Sequence, residues 1–353
     1  MDDNQLKTLH QEVSSRLSSV DFDRIWPDFA FFPFALYTSD RMYFEDSSSP
    51  RPETFMGNTS IDYEGRRIAI WNVDYSPLSG ADDLDRLTAG IVHEMFHAFQ
   101  HARGEERFPN DLRLLLYPDD PLLVAWTLRE GRLLARESPD LSALLGQISG
   151  ARNERSRIGG AALGDELLAE TAEGLAEFAG WKALAQFRPP EAQKSLARYR
   201  RILGQGLHLF DARRRSYYAG TLLALLAEEA GLPLFHDLSS SKPLWELLNI
   251  PPSPPDPLAA DEEESARLLQ AKEGERRADL LASFRSRFPD ERIADTRIIG
   301  YDPMNLTRVG DWLISSHFLL LEDDPEQALL GDRLLRMKKG DPRQVEAVYY
   351  SSD

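Results

Sequence analysis

In the segment GIVHEMFHAFQHARG, residues 90–104, three histidines recur at four-residue steps: His93, His97 and His101, with Glu94 beside the first. The chain holds only seven histidines in 353 residues, so the cluster asks for a chemical reason. On a helix, residues four apart lie about 6 Å along the axis and about 40° around it, so the imidazoles of His93 and His97 can converge on one cation. Glu94 projects about 100° round from His93, near enough to reach a water on such a cation without ligating it. His101 stands about 12 Å along the axis from His93, beyond any shared coordination sphere. It is expected either to complement the negative end of the helix or to be a plain surface residue.

The element that must carry this cluster is readable. Leu84, Leu87, Ile91, Met95 and Phe99 recur at three- and four-residue steps, so a helix with one buried stripe is expected from Asp82 to Arg103. Asp82, Asp83 and Asp85 suit its N-terminus and Gly104 follows its end. A third ligand has to come from elsewhere. There is no cysteine, which excludes thiolate-ligated zinc, disulfides and thiol nucleophiles. That leaves His, Asp or Glu. The stretch GDELLAETAEGLAEFAGW places Glu166, Glu170, Glu173 and Glu177 within about 60° of one another on a helix, with Leu168, Leu175 and Ala179 opposite. Such a face is either the solvated side of an amphipathic helix or the lining of a cleft that delivers one carboxylate to a metal.

The pairing of H-E-x-x-H with a downstream helix bearing E-G-x-A-E-[FY] resembles the gluzincin branch of the zincin metallopeptidases, the group of thermolysin and the M1 aminopeptidases. The resemblance covers roughly residues 55–250. It implies zinc held by His93, His97 and Glu173, with Glu177 supporting His93 through its second ring nitrogen and Glu170 the fallback ligand. It implies Glu94 as general base and a peptide or protein substrate. In that family a tyrosine three positions before a glycine stabilises the oxyanion, which points to Tyr217 ahead of Gly220, with Tyr218 and the less favoured His208 as rivals. The chain departs from the family in the long stretch between His97 and Glu173, where two or three extra helices (110–160) are expected, perched over the cleft. It also lacks the aminopeptidase G-A-M-E-N signature. A substrate would lie extended along an edge strand around Arg67–Asp74. The run Arg213–Arg215 is expected as a solvated basic start to a helix rather than a holder of a substrate carboxylate.

Composition sets the frame for these readings. A hydrophobic content of 42% supports a packed core over most of the chain. A net charge of −17 argues against nucleic acid and anionic membrane as partners. The N-terminus, MDDNQLKTLHQEVSS, has neither the basic nor the apolar region of a signal peptide, and no apolar run is long enough to span a bilayer. A soluble, cytoplasmic protein is expected.

The order of elements predicts an α+β fold. A polar helix over about 4–19 precedes a strand-rich region (20–80) with a turn at Glu64-Gly65, and a helical block follows over 81–250. Together these make a zincin-like catalytic domain, 1–250. In the helical block Asp120 with Pro121, and Ser138 with Pro139, mark two helix starts. The segment IPPSPPDPLAADEEES leads into a Pro-rich acidic linker (251–265), and a small mixed domain of one helix and several strands, including one in DWLISSHFLLLED, closes the chain (266–353). The leading functional class is a zinc-dependent peptidase. The alternatives are a catalytically silent relative used for binding or regulation, and a zinc hydrolase acting on a non-peptide bond.

Overall fold

The computed structural model describes residues 1–76 and 78–351. Its architecture is mixed α+β, with two separate sheets among the described residues. After α1 (Asp3–Leu17) come β1 (Phe34–Tyr37), β2 (Arg41–Phe44), β3 (Ser47–Pro50), β4 (Thr59–Tyr63) and β5 (Arg66–Asn72). They form one sheet in the order β3-β2-β1-β5-β4, antiparallel except where β1 runs parallel to β5. The β4–β5 hairpin turns at Glu64-Gly65, both at positive φ as a tight two-residue turn requires. The strand expected to offer an edge at Arg67–Asp74 is therefore internal. It is paired on both sides, and the free edge belongs to β4 because β5 is sandwiched between β1 and β4.

Helix α2 (Ala81–Ala102) lies on this sheet, with its apolar stripe buried against α1 and the strands. Gly90 lets the Trp71 ring press directly on the helix backbone, since any Cβ there would collide with the indole. The helical block continues with α3 (Asp111–Leu114), α4 (Pro121–Leu134), α5 (Leu141–Gly159), α6 (Ala161–Phe187), α7 (Pro189–Gly204), α8 (Ala212–Glu229) and α9 (Leu244–Leu247). Asp120 caps α4, its side chain accepting from the Leu122 N–H. For α5 the cap is Asp140, which accepts from Ala143 N–H, and not the expected Ser138.

Helix α6 is buried on nearly all sides, between α2, α5, α7 and α8. Of the two readings of its glutamate face, the solvated one is excluded: these carboxylates find partners inside the protein. Glu166 and Glu170 join a buried network with Arg152 and Arg155 of α5, Glu130 of α4 and Arg215 of α8. Helices α3 and α5 pack against α6, α4 packs against α5, α7 and α8, and Asp111 of α3 reaches the site through Arg213.

The Pro-rich segment is no free linker. Pro254 and Pro255 lie on α5, where Gly150 leaves room for their backbone, and Arg129 binds the carbonyls of Asp256 and Pro257. Helix α10 (Ala260–Arg287) begins inside the range expected for that linker. The C-terminal sheet follows the order β10-β9-β6-β12-β11-β8-β7, from β6 (Asp290–Tyr301), β7 (Leu306–Val309), β8 (Trp312–Ser315), β9 (Phe318–Leu321), β10 (Asp324–Leu330), β11 (Arg333–Met337) and β12 (Gln344–Tyr350). The stretch DWLISSHFLLLED thus makes two strands, β8 and β9, rather than one. No helix among the described residues is long and apolar enough to cross a membrane.

Candidate metal centre

His93 and His97 sit one turn apart on α2, on the side that faces α6. The two helices approach closely because Gly180 of α6 meets the backbone of α2. A Cβ at Gly180 would stand 2.7 Å from the Ala89 carbonyl oxygen. A second close approach brings in α8, where Gly174 and Gly220 leave the α6 and α8 backbones in direct contact. Three helices are thereby fixed around one point, each delivering a polar side chain to it.

The ring nitrogens identify their own protonation. His93 Nδ1 lies 3.1 Å from Glu177 Oε2, and His97 Nδ1 lies 2.7 Å from Gln100 Oε1. A carboxylate oxygen can only accept, so His93 Nδ1 carries the proton there. The Gln100 amide nitrogen donates to the Ala172 carbonyl at 3.2 Å, which fixes its oxygen toward His97 as an acceptor as well. In the neutral tautomers that result, both Nε2 atoms present bare lone pairs, and they face each other at 3.1 Å.

Glu173 completes the group. Its Oε2 stands 3.5 Å from His93 Nε2 and 3.3 Å from His97 Nε2, and this buried oxygen has no hydrogen-bond partner. The circle through these three atoms has a radius of roughly 1.9 Å, against zinc–nitrogen and zinc–oxygen bonds of about 2.0–2.2 Å. With both imidazoles neutral, three lone pairs would converge there, which is what a cation of that size requires. The other oxygen of Glu173 accepts from Arg213 Nη2 at 2.5 Å, and Arg213 also binds Asp111. Glu94 is the other carboxylate at hand. One of its oxygens falls, with a nitrogen from each histidine, in a set whose atoms all lie within 4.8 Å of one another. Glu173 is the closer of the two and the one with an orphaned oxygen.

The electrostatics favour positive charge at this point, which a proton on His93 supplies until a cation displaces it. Burial works against charge on His93, yet the nearby carboxylates of Glu173 and Glu177 outweigh it and push its pKa up to about 10. Burial also opposes ionisation of Glu173, but Arg213 and His97 hold its carboxyl well below the usual range. Burial raises Glu94, a direction that suits a proton acceptor. The buried Glu94 and Glu173 and the part-buried Glu177 outnumber the arginines that act on them, Arg213 and Arg198, so the site draws positive charge, whether a proton or a cation.

Tyr217 belongs to this group and Tyr218 does not. The Tyr217 ring stacks on His93 with centroids 5.5 Å apart and planes 9° from parallel, and burial followed by the nearby Glu173 raises its pKa well above normal. Tyr218 packs instead against Tyr199, 5.1 Å between centroids, with the exposed His208 beyond it. His101, at the end of α2, stacks on Phe108. It is exposed there, as a surface residue, and desolvation followed by Arg67 lowers its pKa to about 4.

Three contributors escaped sequence reading. Gln100 lies three residues after His97, a helical spacing that was open to inspection. Tyr199 of α7 donates to Glu177 Oε1 and has no local signal pointing there. Arg213 was expected in solvent; it is instead largely buried, and Arg215 beside it is buried against Glu166. A cleft of about 590 Å³ reaches Arg213 and Asp111 but is not lined by either imidazole. In comparison with known proteins, no family model matches the chain, no curated protein matches it, and no solved structure matches it.

Proposed function

We propose that the chain is a zinc-dependent peptidase of gluzincin type, with a zincin-like core formed by the first sheet, α2, α6 and α8. The observation that carries this reading is the convergence of His93 Nε2, His97 Nε2 and Glu173 Oε2, at spacings that suit a zinc ion once both imidazoles are neutral. When bound, zinc polarises a carbonyl and acidifies a water. Glu94, raised by burial, takes the proton of the attacking water and returns it to the leaving amine. The Tyr217 hydroxyl donates to the oxyanion as it develops. Glu177 and Gln100 hold the two imidazoles in the tautomer that leaves Nε2 free, and Arg213 keeps Glu173 turned with Oε2 inward. A peptide pairs by its main chain with the free edge of β4, which packs beside α2.

One observation favours a second reading, a catalytically silent metal-binding protein. His93 is 5% exposed, Glu94 8% and Glu173 5%, so an extended substrate has little direct access to them.

Elemental analysis of protein purified without added zinc, joined to hydrolysis of a peptide panel with and without chelator, separates the two. The peptidase reading expects stoichiometric zinc and chelator-sensitive cleavage. Glu94→Gln then retains the metal without hydrolysis, and His97→Ala and Glu173→Ala lose the metal. Zinc without turnover assigns the silent role. Full metal content in Glu173→Ala transfers the third ligand to Glu94.

A further inference from the structure

The cleft that reaches Arg213 and Asp111 lies in the seam between the helical block and the C-terminal sheet. Its walls come from the start of α8, from α10 and from the segment 303–316. In a chain of net charge −17, this seam is cationic. Setting aside the Arg213–Asp111 pair, four arginines line it, Arg214, Arg276, Arg277 and Arg308, against two carboxylates, Asp211 and Glu273. Glu273 is shared by Arg276 and Arg277, and Asp211 is taken by Arg214.

Arg308 is the informative member. It is 8% exposed, its Nε donates to the Gly310 carbonyl at 2.9 Å, and no carboxylate among the described residues pairs with it. Burial pulls its pKa down by more than the nearby Asp311 carboxylate, which does not bond to it, raises it. A buried arginine with no directly bonded carboxylate among the described residues, at the wall of a cavity, gains from an anionic group that enters that cavity. The guanidinium fork matches a carboxylate in two parallel hydrogen bonds. The volume, about 590 Å³, suits a few amino-acid residues. The seam also shares a wall with the metal centre, because the arginine that lines it is the one bonded to Glu173.

We propose that this seam is an acidic-peptide subsite, in which Arg308, with Arg276 and Arg277 opposite, receives carboxylates of a substrate whose scissile bond lies at His93, His97 and Glu173. The inference rests on the peptidase reading for its substrate, though binding to the seam is measurable without turnover. An acidic peptide brings to the seam the charge that its walls lack, and a neutral peptide of equal length leaves Arg308 as it is.

The test uses the full-length, metal-replete Glu94→Gln protein and fluorescence anisotropy of labelled peptides. The probes are a glutamate-rich peptide, its glutamine counterpart, and the glutamate-rich peptide with an amidated C-terminus. The glutamate-rich peptide is expected to bind at least about tenfold more tightly than the glutamine one, with affinity falling as salt is raised. Arg308→Gln is expected to remove most of that preference. Arg276→Glu, at an exposed position that leaves folding intact, is expected to do the same and covers the case in which Arg308→Gln does not fold. Loss of binding on amidation assigns the α-carboxylate as the recognised group, and retention assigns the side chains. Equal binding of glutamate and glutamine peptides, or an unchanged preference in Arg276→Glu, overturns the subsite. Cleavage of neutral and acidic peptides alike by the wild type, with that null binding result, leaves the peptidase standing and the subsite refuted. Selective acidic binding with no cleavage by the wild type does the reverse.

Discussion

Gly174 on α6 and Gly220 on α8 face each other so closely that a Cβ on Gly174 would stand 2.5 Å from the Cα of Gly220. Each glycine has a site residue nearby on its own helix: Glu173 precedes Gly174 and Tyr217 lies three positions before Gly220. The contact is therefore what brings Tyr217 and Arg213 to Glu173. A Cβ here meets backbone atoms, which cannot turn aside as a flexible side chain would.

Gly174→Ala and Gly220→Ala are each expected to force α6 and α8 apart, at a cost of about 1–3 kcal/mol in stability. Zinc affinity should fall in parallel, since Arg213 would no longer hold Glu173 in place. Thermal unfolding and metal titration of the two variants check this. Gly164→Ala, at a position on α6 where a Cβ meets open space, is the control expected to change neither.

The hydrogen-bond chain Tyr199–Glu177–His93 orients the first imidazole through its Nδ1, the nitrogen turned away from Glu173. Tyr199→Phe and Glu177→Gln are expected to weaken zinc affinity by about 10–100-fold without abolishing it. Competition with a chromophoric chelator measures the change. Affinity equal to wild type in Glu177→Gln would mean that His93 is held by packing alone.

Tyr217→Phe is expected to keep full metal content while lowering kcat by about 10²–10³, the usual effect of removing an oxyanion donor. Tyr218→Phe, whose ring packs on Tyr199 away from the imidazoles, should leave kcat near wild type. Steady-state kinetics on any peptide found to be cleaved distinguishes the two tyrosines.

Acid should destabilise the protein through the α4–α5–α6 network. Burial opposes ionisation of Glu130 and Glu166, but Arg152 and Arg155 beside the first, and Arg155 and Arg215 beside the second, hold both carboxyls below the usual range. Burial pushes Glu170 the other way despite Arg152, which offsets part of the effect. Groups whose pKa is depressed by folding contribute in full above their unfolded value of about 4.3, and that contribution drains away as pH falls toward the folded value. The melting temperature should therefore hold down to about pH 5 and drop steeply below about pH 4. Arg155→Met, which strips a partner from both Glu130 and Glu166, is expected to cost about 3–5 kcal/mol at neutral pH and to flatten the acid limb. Melting curves of both proteins at equal metal load give the comparison.

Legibility of the site in the sequence followed the range of the interactions involved. Helix α2 was readable because its stripe, from Leu84 to Phe99, repeats at helical steps and needs no knowledge of its partners. The pairing of His93 with His97, and the reach of Glu94, follow from that same period. What the period cannot carry is the identity of neighbours from distant segments. Glu166, Glu170, Glu173 and Glu177 share one face of α6, and nothing local separates Glu173, turned to the imidazoles, from Glu170, turned to Arg152. Arg213 reads as a solvated charge until Asp111 and Glu173 are placed on either side of it. The composition of the Pro-rich segment is that of a linker, while Gly150, the small residue that lets it pack, sits about a hundred positions away.

The buried ions between α5 and α6 have a further consequence, for folding fidelity. Arg152 and Arg155 lie three apart on one helix, and Glu166 and Glu170 four apart on the other, so their charges meet at a single alignment. Sliding α5 along α6 by one turn would leave a guanidinium and a carboxylate sealed from water without partners, a mispairing penalised far more heavily than an apolar seam would be. Collapsed chains with the wrong helix alignment are thus driven to come apart and re-form, and the long insertion between the second histidine and the glutamate settles into one place.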